Sequence, residues 1–383
     1  MMTVPILFSI RIPPNQIGLC VDLRAVLEEE YPVLSTDTCF ISDTKIRHFL
    51  LLPKNVLFLL KLCIMRLPAI VCVCFLLLAG CGNASGKKDH AIPLTIAALK
   101  GPSSMGMIRF IDSLEGVADA GLKVTIVNEP LQVRKMMLDG TADFALLPLT
   151  TAAIVYNKGL DYKLAAIPVW GTLYLFGQDS AITKWEDLSH KKVHMMARGM
   201  TPDVLFRYLL QKNGIDPEHD ITLDYRFPTH IDLANAMASG QASLGVISEP
   251  LASQVMHRND KVKMLFDLNQ EWISIQGAPI PQTALMVKAS VIRNNPAVVE
   301  EVLDAYERSV EWVNSHPDSA AVLIVKHLIL DDPRIAYQAI PRSGIKLVRA
   351  AAIRSQITEY LRIFYEMDPQ TTGGKIPDEG FYY

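Results

Sequence analysis

Cysteine is missing from everything after position 81: all six, Cys20, Cys39, Cys63, Cys72, Cys74 and Cys81, lie in the first stretch of the chain. The long remainder can therefore form no disulfide and no thiolate metal site, and it offers no cysteine nucleophile. Also missing is any Lys/Arg-rich run or basic-aromatic alternation, and a formal net charge of −3 supplies no electrostatic footprint for nucleic acid. There is no G-x-S-x-G elbow, no H-E-x-x-H, no P-loop and no G-x-G-x-x-G, so the common hydrolase, zincin and nucleotide-binding motifs are excluded. The nine histidines are scattered; His194, His230 and His257 read as surface or satisfied core residues rather than ligands. No catalytic residue, metal or cofactor is expected.

What is present is an internal echo. KMMLDGTADFALLPLTTAAIVYNKG, from Lys135 to Gly159, returns about 100 residues later as AMASGQASLGVISEPLASQ, from Ala236 to Gln254. In each copy a helical end runs into a glycine, Gly140 or Gly240, suited to the left-handed position that closes a helix. Short apolar runs follow, Phe144 to Leu147 and Leu244 to Ile247, of the kind buried on both faces of a parallel sheet, and a helix starts at once after each. The period is too long for a solenoid and suits two similar α/β lobes. The turns LPLTT and ISEPL fall at the carboxyl ends of their strands, the edge where open parallel sheets bind ligands.

The N-terminal part reads as an address. Lys61 and Arg66 precede the apolar run Leu67 to Gly80, a positive region and hydrophobic region of a signal peptide, shorter than the about 20 apolar residues of a spanning helix. Its end, Leu78-Ala79-Gly80-Cys81, resembles the bacterial lipobox, in which the cysteine is lipidated and becomes the first mature residue. The polar, small-residue stretch GNASGKKDH fits a tether. Met65 is the expected start, and residues 1–64 read as a mis-called upstream extension with scattered prolines and no sustained periodicity.

Downstream, Leu94 to Leu99 forms an opening strand, and the loop Lys100 to Ser104 precedes a helix from Met105 to about Leu114. Ser103 and Ser104 serve there as N-cap, as ligand hook, or as both. Thr150 and Thr151 end the third strand in the same two capacities. Trp170 ends the fourth, beside Gly171-Thr172, as a stacking surface or a buried aromatic. From Tyr174 the chain crosses into a second lobe. Thr201-Pro202-Asp203 is a strong helix start, with threonine as N-cap, proline next and an acid in the first turn. Glu249 sits in another first turn, to complement the helix dipole or accept from a ligand. Pro281 to Val287 returns as a strand, and after Ser290 the chain reads as helical and packed on the first lobe.

KGPSSMGM, GTADFALLPLTTAAIVYNKG, ITKWEDLSHKKV, GMTPDVLFRYLLQKNGID and ASGQASLGVISEP, behind a lipobox, together resemble the type II solute-binding proteins of ABC importers, in the branch grouped with sulfonate, nitrate and thiamine-precursor binding proteins. The resemblance spans about Ile92 to Glu366. It implies an α/β, two-lobed periplasmic binding protein fold, each lobe a mainly parallel sheet flanked by helices, joined by two crossing strands. The division is 65–80 signal peptide, 81–91 tether, 92–175 first lobe, 176–281 second lobe, and 282–383 the rest of the first. The implied contacts to a small organic solute are Ser103, Ser104, Met105, Thr150, Thr151, Thr172, Met200, Thr201, Pro202, Asp203 and Glu249, to which the strand-end reading adds Trp170. The implied partners are an ABC permease and, through Cys81, a membrane in the periplasm or at the cell surface, with the chain acting as a monomer. Where the first copy has Asp143 the second has Ser243, so a contact made there differs. Two other functions stay open: a sensor or partner-binding lipoprotein, and an enzyme on the same fold.

Overall fold

A computed structural model describes residues 93–115 and 121–383. The expected extension, the signal peptide at 65–80, the tether and the lipidation site Cys81 lie outside the described residues. Among those residues no helix is long and apolar enough to cross a membrane.

The chain builds β1 (Leu94–Leu99), α1 (Pro102–Gly106), α2 (Ile108–Leu114), β2 (Leu122–Val127), α3 (Pro130–Leu138), β3 (Phe144–Pro148), α4 (Leu149–Asn157) and β4 (Tyr162–Trp170). It then enters a second sheet with β5 (Leu173–Gly177), β6 (Lys192–His194), α5 (Thr201–Lys212), β7 (Thr222–Asp224) and α6 (His230–Ala238). β8 (Leu244–Ser248), α7 (Leu251–Arg258), β9 (Lys263–Asp267) and α8 (Leu268–Gln276) complete that part. The return runs through β10 (Pro281–Lys288), α9 (Ala289–Asn294), α10 (Pro296–Ser315), α11 (Pro317–Lys326), α12 (Pro333–Ala339), β11 (Ile345–Arg349) and α13 (Arg354–Met367).

The strands form one sheet in the order β11-β4-β10-β3-β1-β2 and another in the order β7-β6-β8-β5-β9. The echo is a real repeat of local structure: α3–β3–α4 matches α6–β8–α7, and Gly140 and Gly240 hold φ of 69° and 79°, the left-handed helix stop that a side chain resists. Both sheets are mixed. The parallel pairs are β1 with β2 and β3, and β6 with β7 and β8; they are outnumbered by the antiparallel ones, so neither sheet is the mainly parallel one expected. The antiparallel pairs belong to the crossing strands β4, β5 and β10 and their edge partners β9 and β11, because a chain that passes between sheets and comes back must run against its neighbours.

Two further differences have local causes. The single helix expected from Met105 is broken at Met107, where the Ser309 hydroxyl accepts from Arg109 N (3.1 Å) and Phe110 N (3.3 Å) and donates to Gly106 O (2.8 Å); a distant side chain takes the groups that a continuous helix would use. The C-terminal part is not all helix either. Ile345 to Arg349, with Ile345 and Leu347 buried on either side of the exposed Lys346, adds an edge strand against β4.

The core has two parts. One face of the first sheet packs on α1, α2, α10 and α12, with Ile96, Met105, Leu146 and Tyr306 fully buried. Along α10, Val299, Val302, Leu303, Tyr306, Val310 and Val313 are buried at helical spacing, each worth about 1.5–3 kcal/mol of transfer free energy. The other face shares one apolar cluster with the second sheet, running through Ala153 of α4, Phe206 of α5, Trp272 of α8, and Tyr360 and Phe364 of α13. Thus α13 does not pack on the first lobe alone; the Tyr360 ring meets Trp272 of the second part edge-on at 5.6 Å.

Candidate functional site

The carboxyl ends of β1, β3, β6 and β8 converge where the two sheets face each other. Thr150, in the first turn of α4, and Thr201, first residue of α5, meet there with their hydroxyls 2.8 Å apart. Both are buried, so two helix N-termini from separate sheets abut through a side-chain hydrogen bond. Thr151 is buried beside Thr150. The Tyr360 hydroxyl is enclosed at the same place: Thr201 is its polar neighbour, yet the geometry falls short of a hydrogen bond and the oxygen is left without a partner. Burial pushes that phenol above its ordinary range.

The expected serines are used locally. Ser104 Oγ accepts from Gly101 N (3.1 Å) and donates to Gly101 O (3.0 Å), and Ser103 Oγ donates to Leu99 O (3.2 Å). These bonds fix the loop after β1, whose Gly101 approaches Pro250 of the second lobe. Met105 points away from the cleft into the first core; its place in an apolar helix face outweighs its nearness in sequence to the loop. Thr172 is pinned to the return strand, its N–H donating to Gln282 Oε1 and its Oγ1 accepting from Gln282 Nε2, both at 2.7 Å. Met200 caps α5 and is 46% exposed.

The acids near the cleft are already engaged. Asp203 is 2% exposed and accepts from Gly199 N (2.7 Å), Arg207 Nε (2.8 Å) and the Tyr225 hydroxyl (2.6 Å), which shapes the turn before α5. Burial and the Asp203 carboxylate together push Tyr225 up to about 12. Glu249 is likewise buried. Its carboxylate accepts from Ser253 N (3.1 Å) and Ser253 Oγ (2.7 Å), and from Arg342 Nε at 2.6 Å. Arg342 Nη2 also donates to Ser253 Oγ (2.7 Å), while its carbonyl accepts from the Tyr174 hydroxyl (2.7 Å). Arg342 precedes β11 of the first sheet and Glu249 follows β8 of the second, so the ion pair latches one lobe to the other. Burial raises the Glu249 carboxyl above its ordinary range, and Arg342 works against that rise.

Trp170 lies elsewhere. Its indole N–H donates to Lys346 O (2.7 Å) and its ring lines a groove of about 600 Å³ with Asp267, Asn269, Arg342, Lys346 and Gln356. The groove shares Arg342 with the Glu249 latch, so it borders the end of β8 while Trp170 itself belongs to the β4–β11 side. Among the described residues, one grouping has the composition of a cation site, Asp112, Glu115 and His327. Lys326 Nζ sits 2.6 Å from each carboxylate, where a cation would sit, so the grouping is an ion-pair cluster.

Arg342 and Tyr360 were not among the expected site residues. Neither has a local signal: Arg342 is 93 positions from its partner Glu249, and Tyr360 falls on the apolar stripe of an amphipathic helix, where periodicity reads it as core.

The sequence profile of the family described as NMT1/THI5 like matches residues 118–320, more than half of the chain. Of the curated proteins, YtlA of Bacillus subtilis (strain 168), named as a binding protein, is 25% identical over 211 residues, 54% of this chain and 61% of that protein; the chain thus spans about three fifths of the length of the curated relative it matches. A crystal structure of an ABC transporter from Parabacteroides distasonis is similar with a TM-score of 0.66 and 25% identity, over 76% of this chain and 98% of that one. The periplasmic aliphatic sulphonate binding protein SsuA of Escherichia coli has the same fold at a TM-score of 0.61 and 16% identity, over 74% of this chain and 90% of that one.

Proposed function

The chain belongs to the NMT1/THI5-like family, and on that premise we propose that it is an extracytoplasmic solute-binding protein that captures a small organic solute between its two lobes and delivers it to an ABC permease. The observation that carries the reading is the Thr150–Thr201 contact: strand-end helix starts from two sheets meet across a cleft, with connecting strands able to act as a hinge. The cleft offers hydroxyls. One of them, Ser248 at the end of β8, has His230 Nδ1 at 3.2 Å, and among the described residues no carboxylate bonds that imidazole, so the pair lacks the orienting third member of a nucleophilic triad, which favours binding over catalysis.

The test is native mass spectrometry of the full-length protein, extracted in mild detergent from the cells that make it. A retained metabolite of unchanged mass supports capture. A mass converted to product favours an enzyme, and nothing bound from any metabolite pool favours a partner-binding module. Replacing Thr150 and Thr201 together by valine is expected to weaken retention of that metabolite by about 10- to 100-fold, while the melting temperature stays within about 2 °C, since exchanging both partners of a hydrogen bond for apolar groups of similar shape is nearly neutral. Unchanged retention would move the site out of the cleft.

The lobes are proposed to divide near 175 and 281, with the protein monomeric and held to a bacterial membrane through a lipid on Cys81. Leu78-Ala79-Gly80-Cys81 supports the anchor. Cys81→Ser is expected to abolish incorporation of labelled palmitate and to release the protein from the membrane fraction; continued labelling would dismiss the lipobox reading.

A further inference from the structure

Resting on the solute-binding reading, we propose that the solute is held through an uncharged hydrogen-bonding group by the buried hydroxyls of Thr150, Thr201 and Tyr360, and that the cleft refuses anions. The first support is the unpartnered hydroxyl. Tyr360 is 2% exposed and its oxygen makes no hydrogen bond, although such groups are almost always satisfied in folded proteins. It stands beside Thr201, which already shares a hydrogen bond with Thr150. A solute atom inserted among the three would give Tyr360 its missing partner. Tyr360 also comes from α13, a helix packed on both lobes, so its contact would report on closure.

The second support is charge. An anion enclosed away from water needs an unpaired cation or free N–H groups at a helix start. Among the described residues no lysine or arginine is buried. At α5 the second residue is Pro202, which has no N–H, and the third is the buried Asp203. At α7 the Glu249 carboxylate takes the Ser253 N–H. The α7 start is therefore taken by a carboxylate of the protein, and a second carboxylate, Asp203, stands at the α5 start with its oxygens on Gly199 N–H, Arg207 and Tyr225, so an incoming anion would meet an acid at either one. Each carboxylate is matched by one arginine, Arg207 or Arg342, so a cation finds no free acid either. What remains open is the start of α4, which has no side-chain cap and no acid in its first turn, beside the Thr150, Thr201 and Tyr360 hydroxyls; with no unpaired cation to balance a full negative charge, that combination suits the oxygen or nitrogen of an uncharged amide, hydroxyl or ring.

The experiment uses the full-length protein in mild detergent and the small-molecule fraction of an extract from the producing cells, split by anion exchange into a bound, anionic pool and an unbound pool, with ethanesulfonate and nitrate as added anions. Native mass spectrometry is expected to show a retained mass from the unbound pool and none from the anionic pool or the two added anions. Tyr360→Phe is expected to lower retention of that mass at least tenfold while leaving the melting temperature of the ligand-free protein unchanged or higher, because it deletes only the unsatisfied hydroxyl. Thr201→Val provides a second route with the same expected loss. Retention of an anion overturns the charge argument and leaves solute capture standing. Full retention in both variants overturns the hydroxyl anchor. Retention from neither pool overturns this proposal and the solute-binding reading together.

Discussion

Arg342→Ala is expected to cost about 3 kcal/mol of folding stability near neutral pH, the low end for removing one partner of a buried ion pair. The low end applies because the Arg342 side chain is 31% exposed, whereas that of Glu249 is 0% exposed; the loss lies in leaving the carboxylate enclosed without its cation. The effect depends on pH with a definite sign. Burial already raises the folded Glu249 carboxyl above its ordinary 4.5, and removing Arg342 raises it further. Between the unfolded and folded values the native state holds the extra proton, so stability is complete below the unfolded value and falls as pH rises through the folded one. The variant should therefore lie close to the parent at about pH 4 and diverge from it by about pH 8. Denaturant titrations of both proteins at the two pH values decide the matter, and an equal deficit at each would show that Glu249 ionisation is not involved. Because the pair spans the lobes, the variant has a second way to relieve the charge: it can open and rehydrate Glu249. Small-angle scattering of ligand-free protein should then show a larger radius of gyration for Arg342→Ala than for the parent.

Gly344→Ala should be at least as damaging. Gly344 holds φ of 55°, and an added Cβ would stand 1.7 Å from the carbonyl oxygen of Trp170 and 2.8 Å from its carbonyl carbon. Both obstacles are backbone, at the last residue of β4, and Trp170 N donates to Gly344 O at 2.9 Å. Nothing there can rotate aside as a side-chain tip would. Relief requires β11 to part from β4, which also displaces Arg342 two residues upstream and so weakens the latch. A loss of about 3 kcal/mol or more is expected, mostly from overpacking against backbone, equivalent to about 5 °C or more in melting temperature for roughly 290 residues unfolding together. Scanning calorimetry measures it directly; a shift under about 2 °C would mean that β11 yields at little cost. Gly140 is a useful contrast, since a Cβ there meets only the Lys288 ammonium at 3.6 Å, leaving the unfavourable φ as its main cost.

Local rules made much of the architecture legible. The helix stops at Gly140 and Gly240, the apolar strands after them and the proline-led start of α5 follow from propensities that act within one or two turns of chain. The repeat itself was visible because the same local solution is written twice. Asp143 and Ser243 show how far such a comparison carries: Asp143 Oδ2 accepts from Thr95 N at 2.9 Å, tying β3 to β1, while the serine in the second copy leaves that tie unavailable to β8. The segment of α10 also reads as a helix packed on the first lobe, and the apolar stripe at helical spacing is the face that the fold buries, the one physical outcome of such a stripe in water.

Other features were settled only by folding. Ser309 breaks the first helix from some 200 residues away, and the five-residue strand β11 was read as part of a helical region because so short a segment is decided by its pairing with β4 rather than by its own preferences. The same holds at the cleft. Thr150 and Thr201 were legible as helix starts beside a ligand edge, yet their contact, the Glu249–Arg342 latch and the unpartnered Tyr360 hydroxyl depend on bringing together segments up to 210 positions apart. Sequence by itself determined most of the elements and the strand ends at which a ligand is expected, since those follow from short-range backbone sterics and hydrophobic period. Which hydroxyls are enclosed, which acids are neutralised and where Trp170 points were decided by tertiary structure alone, because burial and charge pairing are properties of neighbours that the chain does not place side by side.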